Sequence, residues 1–279
     1  MFDFHFSKDI DQHVVDAEIA KCQPDKFIEN KRFTALKTIF SLLDYTTLEG
    51  TDNRNRVREL CETALLFGKQ GLPLPAAVCI YPPFIRTAAE ILKGSGIRVA
   101  TTAAGFPSGQ TSLGVKLAEV DYCVSEGADE IDVVISRGTF LEGDYQTVFE
   151  ELQAIREHCG DRHLKVILET GELGSVENIA KAGEIAIAAG ADFIKTSTGK
   201  VQPAATPQAM ASMLLLIKNH FNATGLKTGI KPAGGISEPD QALIYYQLVA
   251  NILGSDWLNP SLFRIGASRL AANIIKQLT

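Results

Sequence analysis

Along the chain, short apolar runs recur at Leu42–Tyr45, Ala77–Tyr81, Val99–Ala103, Ile131–Ile135, Lys165–Glu169, Phe193–Thr196, Gly229–Lys231 and Phe263–Gly266. Each is followed by a segment long enough for a helix and its loops. Short apolar runs that alternate with helix-length segments predict βαβ units and a parallel sheet. Eight such units in one chain predict an α/β fold of the (β/α)8 TIM-barrel type. The intervening segments support helices, since Leu113, Leu117, Val120 and Val124 share one face, as do Val176, Ile179, Gly183 and Ile187. Ser112, Ser175 and Thr206 stand at N-cap positions, with Pro207 at a first helical position. Residues 1–40 are charged and mixed, with weak helical periodicity, and read as an N-terminal helical extension packed on the barrel as a cap or interface element. No Gly/Ser-rich or Pro-rich linker interrupts the alternation, so residues 41–279 read as a single barrel domain.

Composition narrows the function. The 279 residues are 46% hydrophobic and 22% charged, an ordinary globular balance, with a formal net charge of -6. That charge argues against a nucleic-acid partner bound by a broad basic surface, so individual lysines serve local purposes. No apolar run is long enough to span a bilayer, and the N-terminus lacks the order of a signal peptide, so no membrane is expected and the default location is cytoplasmic. Cys22, Cys61, Cys79, Cys123 and Cys159 are scattered without C-x-x-C spacing and read as reduced, mostly buried thiols. The five histidines show no H-E-x-x-H pattern, so no metal site is expected.

Two stretches carry the candidate chemistry. In Asp192–Lys200 a lysine, Lys195, ends a strand and is followed by a small, hydroxyl-rich loop; in Thr228–Gly235 the same device recurs at Lys231. Burial and a nearby like charge lower a lysine pKa towards the neutral amine that condenses with a carbonyl. The spacing fits equally a lysine paired with a carboxylate at the barrel mouth. Gly127–Asp132 and Gly190–Lys195 share a helix-stopping glycine, an Ala-Asp connection and an isoleucine before a charged residue, which places Asp132 and Lys195 at matched offsets. If they lie on strands four and six, the two charges can face each other inside the barrel, which makes Asp132 the candidate general acid/base or else a salt-bridge partner of Lys195, Lys231 or Lys165. Lys165 opens its strand and reads as deeper and structural. Asp44 ends the first strand, where it could hold a substrate hydroxyl or simply form a turn. Gly234 and Gly235 after strand seven, and Gly266 and Ser268 after strand eight, fall where barrels hold phosphate, with Thr198, Gly199 and Lys200 close by.

The ordered series Leu43–Leu48, Ala77–Pro82, Ala104–Gly109, Glu130–Val134, Glu169–Leu173, Asp192–Lys200, Lys231–Gly235 and Phe263–Ser268 resembles the deoxyribose-phosphate aldolase family. The resemblance implies a metal-free, cofactor-free class I aldolase that reversibly cleaves 2-deoxy-D-ribose 5-phosphate to D-glyceraldehyde 3-phosphate and acetaldehyde. It implies Lys195 as the Schiff-base residue, Asp132 and Lys231 as proton carriers, a small-molecule sugar phosphate as partner, and a homodimer as assembly. Two departures stand out: Arg269 follows Ser268 where many relatives have a small residue, and Gln277-Leu278-Thr279 ends the sequence without the tyrosine-containing tail that some members place over the site. The competing readings are another class I aldolase or transaldolase-like enzyme using the same lysine, and a barrel that binds sugar phosphates without turnover.

Overall fold

The computed structural model describes residues 2–22 and 29–278, with backbone alone for residues 29 and 30. Met1, residues 23–28 of the expected N-terminal extension and Thr279 lie outside the described residues. Two helices come first, α1 (Gln12–Ile19) and α2 (Glu29–Ser41). The alternation that follows is β1 (Leu43–Thr46), α3 (Arg54–Lys69), β2 (Ala77–Ile80), α4 (Ile85–Leu92), β3 (Arg98–Ala103), α5 (Leu113–Glu126) and β4 (Glu130–Val134). It continues through α6 (Arg137–Leu141), α7 (Tyr145–Cys159), β5 (His163–Ile167), α8 (Val176–Ala188), β6 (Phe193–Lys195), α9 (Pro207–Thr224), β7 (Gly229–Lys231), α10 (Pro239–Ile252), β8 (Ile265–Ala267) and α11 (Leu270–Leu278).

All eight strands pair in parallel in the order β7-β6-β5-β4-β3-β2-β1-β8. Ile230 and Arg264 join the remaining seam: Ile230 N donates to Leu262 O at 2.9 Å and Arg264 N donates to Ile230 O at 3.0 Å. Parallel bridges Ile230↔Phe263 and Ala233↔Gly266 lie along the same seam. The sheet thus closes into the expected barrel, and its helices form the outer ring. Strand residues facing outward, such as Val78, Ile131, Val133, Val166, Ile194 and Ile230, join the helices in one continuous apolar core. Continuous burial of a parallel strand on both faces explains why the runs read as apolar rather than alternating.

The strands sit slightly off the expected bounds. The fifth begins two residues earlier, at His163, because His163 N donates to Asp129 O at 3.2 Å and starts the ladder there. Lys165 is therefore a mid-strand residue. On α5 three of the four expected residues face the core, Val120 buried and Leu117 and Val124 half-buried against it, while Leu113 is 40% exposed and Lys116 and Cys123 are buried alongside. Lys116 is accommodated because its amine bonds Ser136 Oγ at 2.8 Å and pairs with Glu151. Ser175 and Thr206 cap α8 and α9 through Asn178 N and Ala209 N, whereas Ser112 makes no side-chain cap bond. α1 packs on α8, α9 and α10, and α2 on α10 and α11. The carboxylate of Glu184 on α8 ties the first residues down, accepting from Phe6 N at 3.0 Å, Ser7 N at 2.9 Å and Ser7 Oγ at 2.6 Å. All five cysteines are free, four of them buried and Cys22 half-buried. No helix among the described residues is long and apolar enough to cross a membrane.

Candidate active site

Strand period two puts Glu130 and Asp132 of β4, Lys165 of β5, Lys195 of β6, Lys231 of β7 and Asp44 of β1 inside the barrel. Ile194, between two inward residues, points out towards α8, where its Cδ1 lies 3.5 Å from where a Cβ on Gly183 would stand. The register pairs Lys195 with Lys231 across β6 and β7, and Asp132 with Lys165 across β4 and β5. Gly266 on β8 leaves room for the Lys231 stem, since a Cβ there would stand 3.2 Å from Lys231 Cε and 2.9 Å from Ala233 Cβ.

Asp132 is the hub. Its Oδ2 accepts from Lys195 Nζ and from Lys231 Nζ, both at 2.7 Å, and its Oδ1 accepts from Lys165 Nζ at 3.0 Å. Lys231 also reaches Asp44 Oδ2 at 2.5 Å, and Lys165 reaches Glu130 Oε2 at 2.6 Å and Asp44 Oδ2 at 3.6 Å. Beneath them, Arg264 bonds Asp44 Oδ1 at 2.7 Å and forks onto Glu130 at 2.7 and 3.1 Å. Arg264 is 1% exposed, and Asp44, Glu130, Asp132 and Lys165 are fully buried. Four basic side chains therefore face three carboxylates in a closed space. With Arg98 a further 3.6 Å from Glu130 at the exposed start of β3, positive charge is in excess, which favours releasing a proton.

Lys195 is the amine placed to release it. Burial pushes its pKa down and Lys231 adds to that, while Asp132 pulls the other way; the net direction is below the ordinary lysine value. Lys231 experiences burial too, but Asp132 and Asp44 together outweigh it and hold its pKa above the ordinary value, so this amine stays charged. Lys165 behaves likewise: burial lowers it, and Asp132, Glu130 and Asp44 raise it further. For Asp132, burial favours the neutral acid, but Lys165, Lys195 and Lys231 prevail and hold the carboxyl well below the usual carboxylate range. Glu130 is held down in the same way, burial being outweighed by Lys165, His163 and Arg264.

Above this cluster opens a cavity of about 300 Å³ at the C-terminal ends of the strands. Its lining brings together Lys195, Lys231, Thr198, Gly199, Lys200, Gly234, Gly235, Gly266 and Ser268 from the sequence reading, and Arg269 beside them. Lys195, Lys231 and Gly266 form the inner end; Gly199, Gly234, Gly235, Ser268, Lys200 and Arg269 form the outer. Gly234 has φ +87, and a Cβ there would stand 2.9 Å from Gly199 Cα, so the loops after β6 and β7 can touch only through glycine. Arg269 has an exposed guanidinium and no carboxylate within ion-pair distance among the described residues, whereas the Lys200 amine donates to Leu48 O and lies 3.7 Å from Glu49.

Asp44 is placed differently from the sequence expectation. It is the second residue of β1, not its end, and its carboxylate is occupied by Lys231 and Arg264 below the cavity. Lys165 lies deep, as expected, yet it holds the free oxygen of Asp132. Sequence reasoning missed Arg264 and Glu130. Arg264 stands inside a run that otherwise reads as apolar strand, and Glu130 directly precedes one and opens β4; a charged residue in or against such a run is the signal that could have found them. It also missed Thr46, Gln202 and Ser237, which line the cavity from loops and strand ends.

The chain is similar to known proteins in sequence and in fold. The pattern of the family described as DeoC/LacD family aldolase matches residues 38–244. The human protein named deoxyribose-phosphate aldolase is 44% identical over 251 residues, 85% of this chain and 79% of its own length. Its mouse counterpart of the same name matches with the same identity and coverage. Among solved structures, the tetrameric deoxyribose phosphate aldolase from Aeropyrum pernix superposes with a TM-score of 0.68 at 22% identity, over 94% of this chain and 95% of that one, a likeness of fold. With 207 contiguous residues inside the family pattern and relatives this similar over most of their length, the chain belongs to the DeoC/LacD aldolase family.

Proposed function

We propose that this chain reversibly cleaves 2-deoxy-D-ribose 5-phosphate to D-glyceraldehyde 3-phosphate and acetaldehyde through a Schiff base on Lys195. The observation that carries the reading is the polarity of the cavity. A lysine with a lowered pKa lies at the inner end, and amide-rich glycine loops with Ser268, Lys200 and Arg269 lie at the outer end. A linear sugar with an aldehyde at one end and a phosphate at the other matches both ends at once.

The neutral Lys195 amine attacks the aldehyde carbon, forming a carbinolamine. Loss of water, with a proton delivered to the departing hydroxyl, gives the iminium. The substrate C3 hydroxyl then loses its proton, the C2–C3 bond breaks, and its electron pair moves into the iminium to give an enamine and free glyceraldehyde 3-phosphate. Protonation of the enamine carbon and hydrolysis release acetaldehyde and restore the amine. Each step moves a proton within reach of the Lys195–Asp132–Lys231 triangle. Asp132 accepts and returns protons, and Lys231 supplies positive charge and a proton close to Lys195. Asp44 and Lys165 hold this triangle in place from below.

Residues 1–40 are proposed to be an extension serving the barrel rather than a catalytic element, and the assembly is proposed to be a homodimer, to be read by sedimentation. The activity is tested by assaying cleavage of 2-deoxyribose 5-phosphate with the wild type and with Lys195→Ala. Turnover by the first and none by the second supports the reading; equal turnover, or turnover of neither, rejects it.

A further inference from the structure

Glu169 follows β5 with φ 54 and ψ 58, in the left-handed region that residues bearing a Cβ rarely adopt. It lines no part of the cavity and is fully buried. Strained backbone of this kind persists where the surrounding contacts over-determine it, and such positions gather at functional sites. Here the contacts run to the loop after β6. The Glu169 carboxylate accepts from Thr198 N at 3.2 Å and from Thr198 Oγ1 at 2.5 Å. Thr198 Oγ1 accepts in turn from Lys200 N at 3.1 Å, and the Lys200 amine reaches across to Leu48 O. The backbone runs parallel to this chain of bonds: Leu168 N donates to Lys195 O and Thr170 N to Thr196 O, both at 2.9 Å. From the other side Arg137 brings Nη1 to 3.6 Å from Glu169 while its Nη2 donates to Ser108 O at 3.2 Å.

The hydroxyl proton of Thr198 is therefore committed to Glu169 and is not free for a substrate. What Thr198 contributes to the cavity is the shape of its loop, and the carboxylate fixes that shape. We propose that Glu169 is a positioning residue that holds Thr198–Lys200 in the conformation that grips the phosphate end of the substrate. This rests on the sugar-phosphate reading above, and it adds a residue remote from the reacting atoms that sets affinity for the phosphorylated end. A purely local role, such as supporting the turn after β5, would be served better by glycine, which adopts this backbone without strain.

Glu169→Gly separates the two roles, since it relaxes the backbone and removes the carboxylate. The expected result is a KM for 2-deoxyribose 5-phosphate raised about tenfold, the scale of one charge-assisted hydrogen bond, with kcat within about twofold. The constant for competitive inhibition by inorganic phosphate should rise by the same factor, and KM for unphosphorylated 2-deoxyribose should not move. Glu169→Gln keeps the shape and one acceptor, should restore part of the loss, and carries the test if the glycine variant does not fold. Borohydride trapping with acetaldehyde, which has no phosphate, keeps the two claims apart. If the wild type is trapped and turns over the sugar phosphate, but phosphate inhibition and KM are the same in wild type and both variants, the role of Glu169 is overturned and the aldolase reading stands. If the wild type is not trapped, the aldolase reading fails, and weaker binding of inorganic phosphate to the variants than to the wild type in calorimetric titration still supports the role of Glu169.

Discussion

Lys195 and Lys231 stand in register on neighbouring strands, and both amines donate to one oxygen, Asp132 Oδ2, at 2.7 Å each. The tie is broken by what lies behind them. Lys231 has a second carboxylate, Asp44, at 2.5 Å, while Lys195 has Asp132 alone and opens into the cavity. One lysine is thereby held charged, and its neighbour has its pKa lowered by burial first and by Lys231 next.

This asymmetry predicts opposite shifts in the pH dependence of kcat/KM. The acid limb reports deprotonation of Lys195 and should have its midpoint below 10.5, the ordinary lysine value, because burial first and Lys231 second disfavour its charge. Lys231→Met removes the like charge and should move the limb to higher pH, whereas Asp132→Asn removes the anion and should move it lower. Both variants should also lose about 10²-fold or more in kcat, the usual scale of acid–base assistance. Limbs that stay in place, or move together, would contradict the assignment.

Stability should fall steeply in acid. Asp132 and Glu130 have folded-state pKa values well below their ordinary ones, and Asp44 is lowered as well. Their contribution is fully present above the unfolded values of about 4 and is lost as pH falls through the folded ones. Thermal unfolding between about pH 6 and 2 should show this slope, and Asp132→Asn should flatten it even though the variant is less stable at neutral pH.

Arg264 lies beneath the reacting groups, and its removal should act on stability before chemistry. Arg264→Met strips Glu130 and Asp44 of the buried guanidinium they share and leaves them only Lys165 and Lys231 as buried cationic partners, a change on the scale of breaking a buried ion pair, about 3–5 kcal/mol. Denaturant unfolding should register the loss. Arg264→Lys should recover only part of it, because an ammonium cannot fork onto Glu130 as the guanidinium does.

Arg269 should tune affinity for phosphate. Its guanidinium lines the outer cavity without a carboxylate partner among the described residues. Arg269→Ser should raise KM for 2-deoxyribose 5-phosphate several-fold with kcat retained, and should weaken the salt dependence of KM. An unchanged KM would place the side chain in solvent only.

Much of this site was legible from the chain. The matched Gly-Ala-Asp segments before Asp132 and Lys195 put an acid opposite an amine, because a barrel turns equal offsets on alternate strands into equal depth. Lys231 was legible for the same reason, as a lysine closing the next strand. Asp44 was misplaced because a four-residue strand has no internal signal for where it ends, and Asp-Tyr-Thr-Thr satisfies a strand or a turn. Leu113 alone of its face was misplaced, because periodicity assumes an apolar interior, and Lys116 is buried there instead with Ser136 and Glu151 as partners from distant elements. Glu169 was invisible as a special residue, since nothing in Glu169-Thr170-Gly171 announces a left-handed backbone or a bond to Thr198.

Borohydride reduction in the presence of acetaldehyde, followed by peptide mapping, tests the central claim most directly. The reading predicts a stable adduct that adds an ethyl group to Lys195, absent in Lys195→Ala and formed more slowly as pH falls. An adduct on Lys231 or Lys165, or full turnover with no adduct at all, would contradict it.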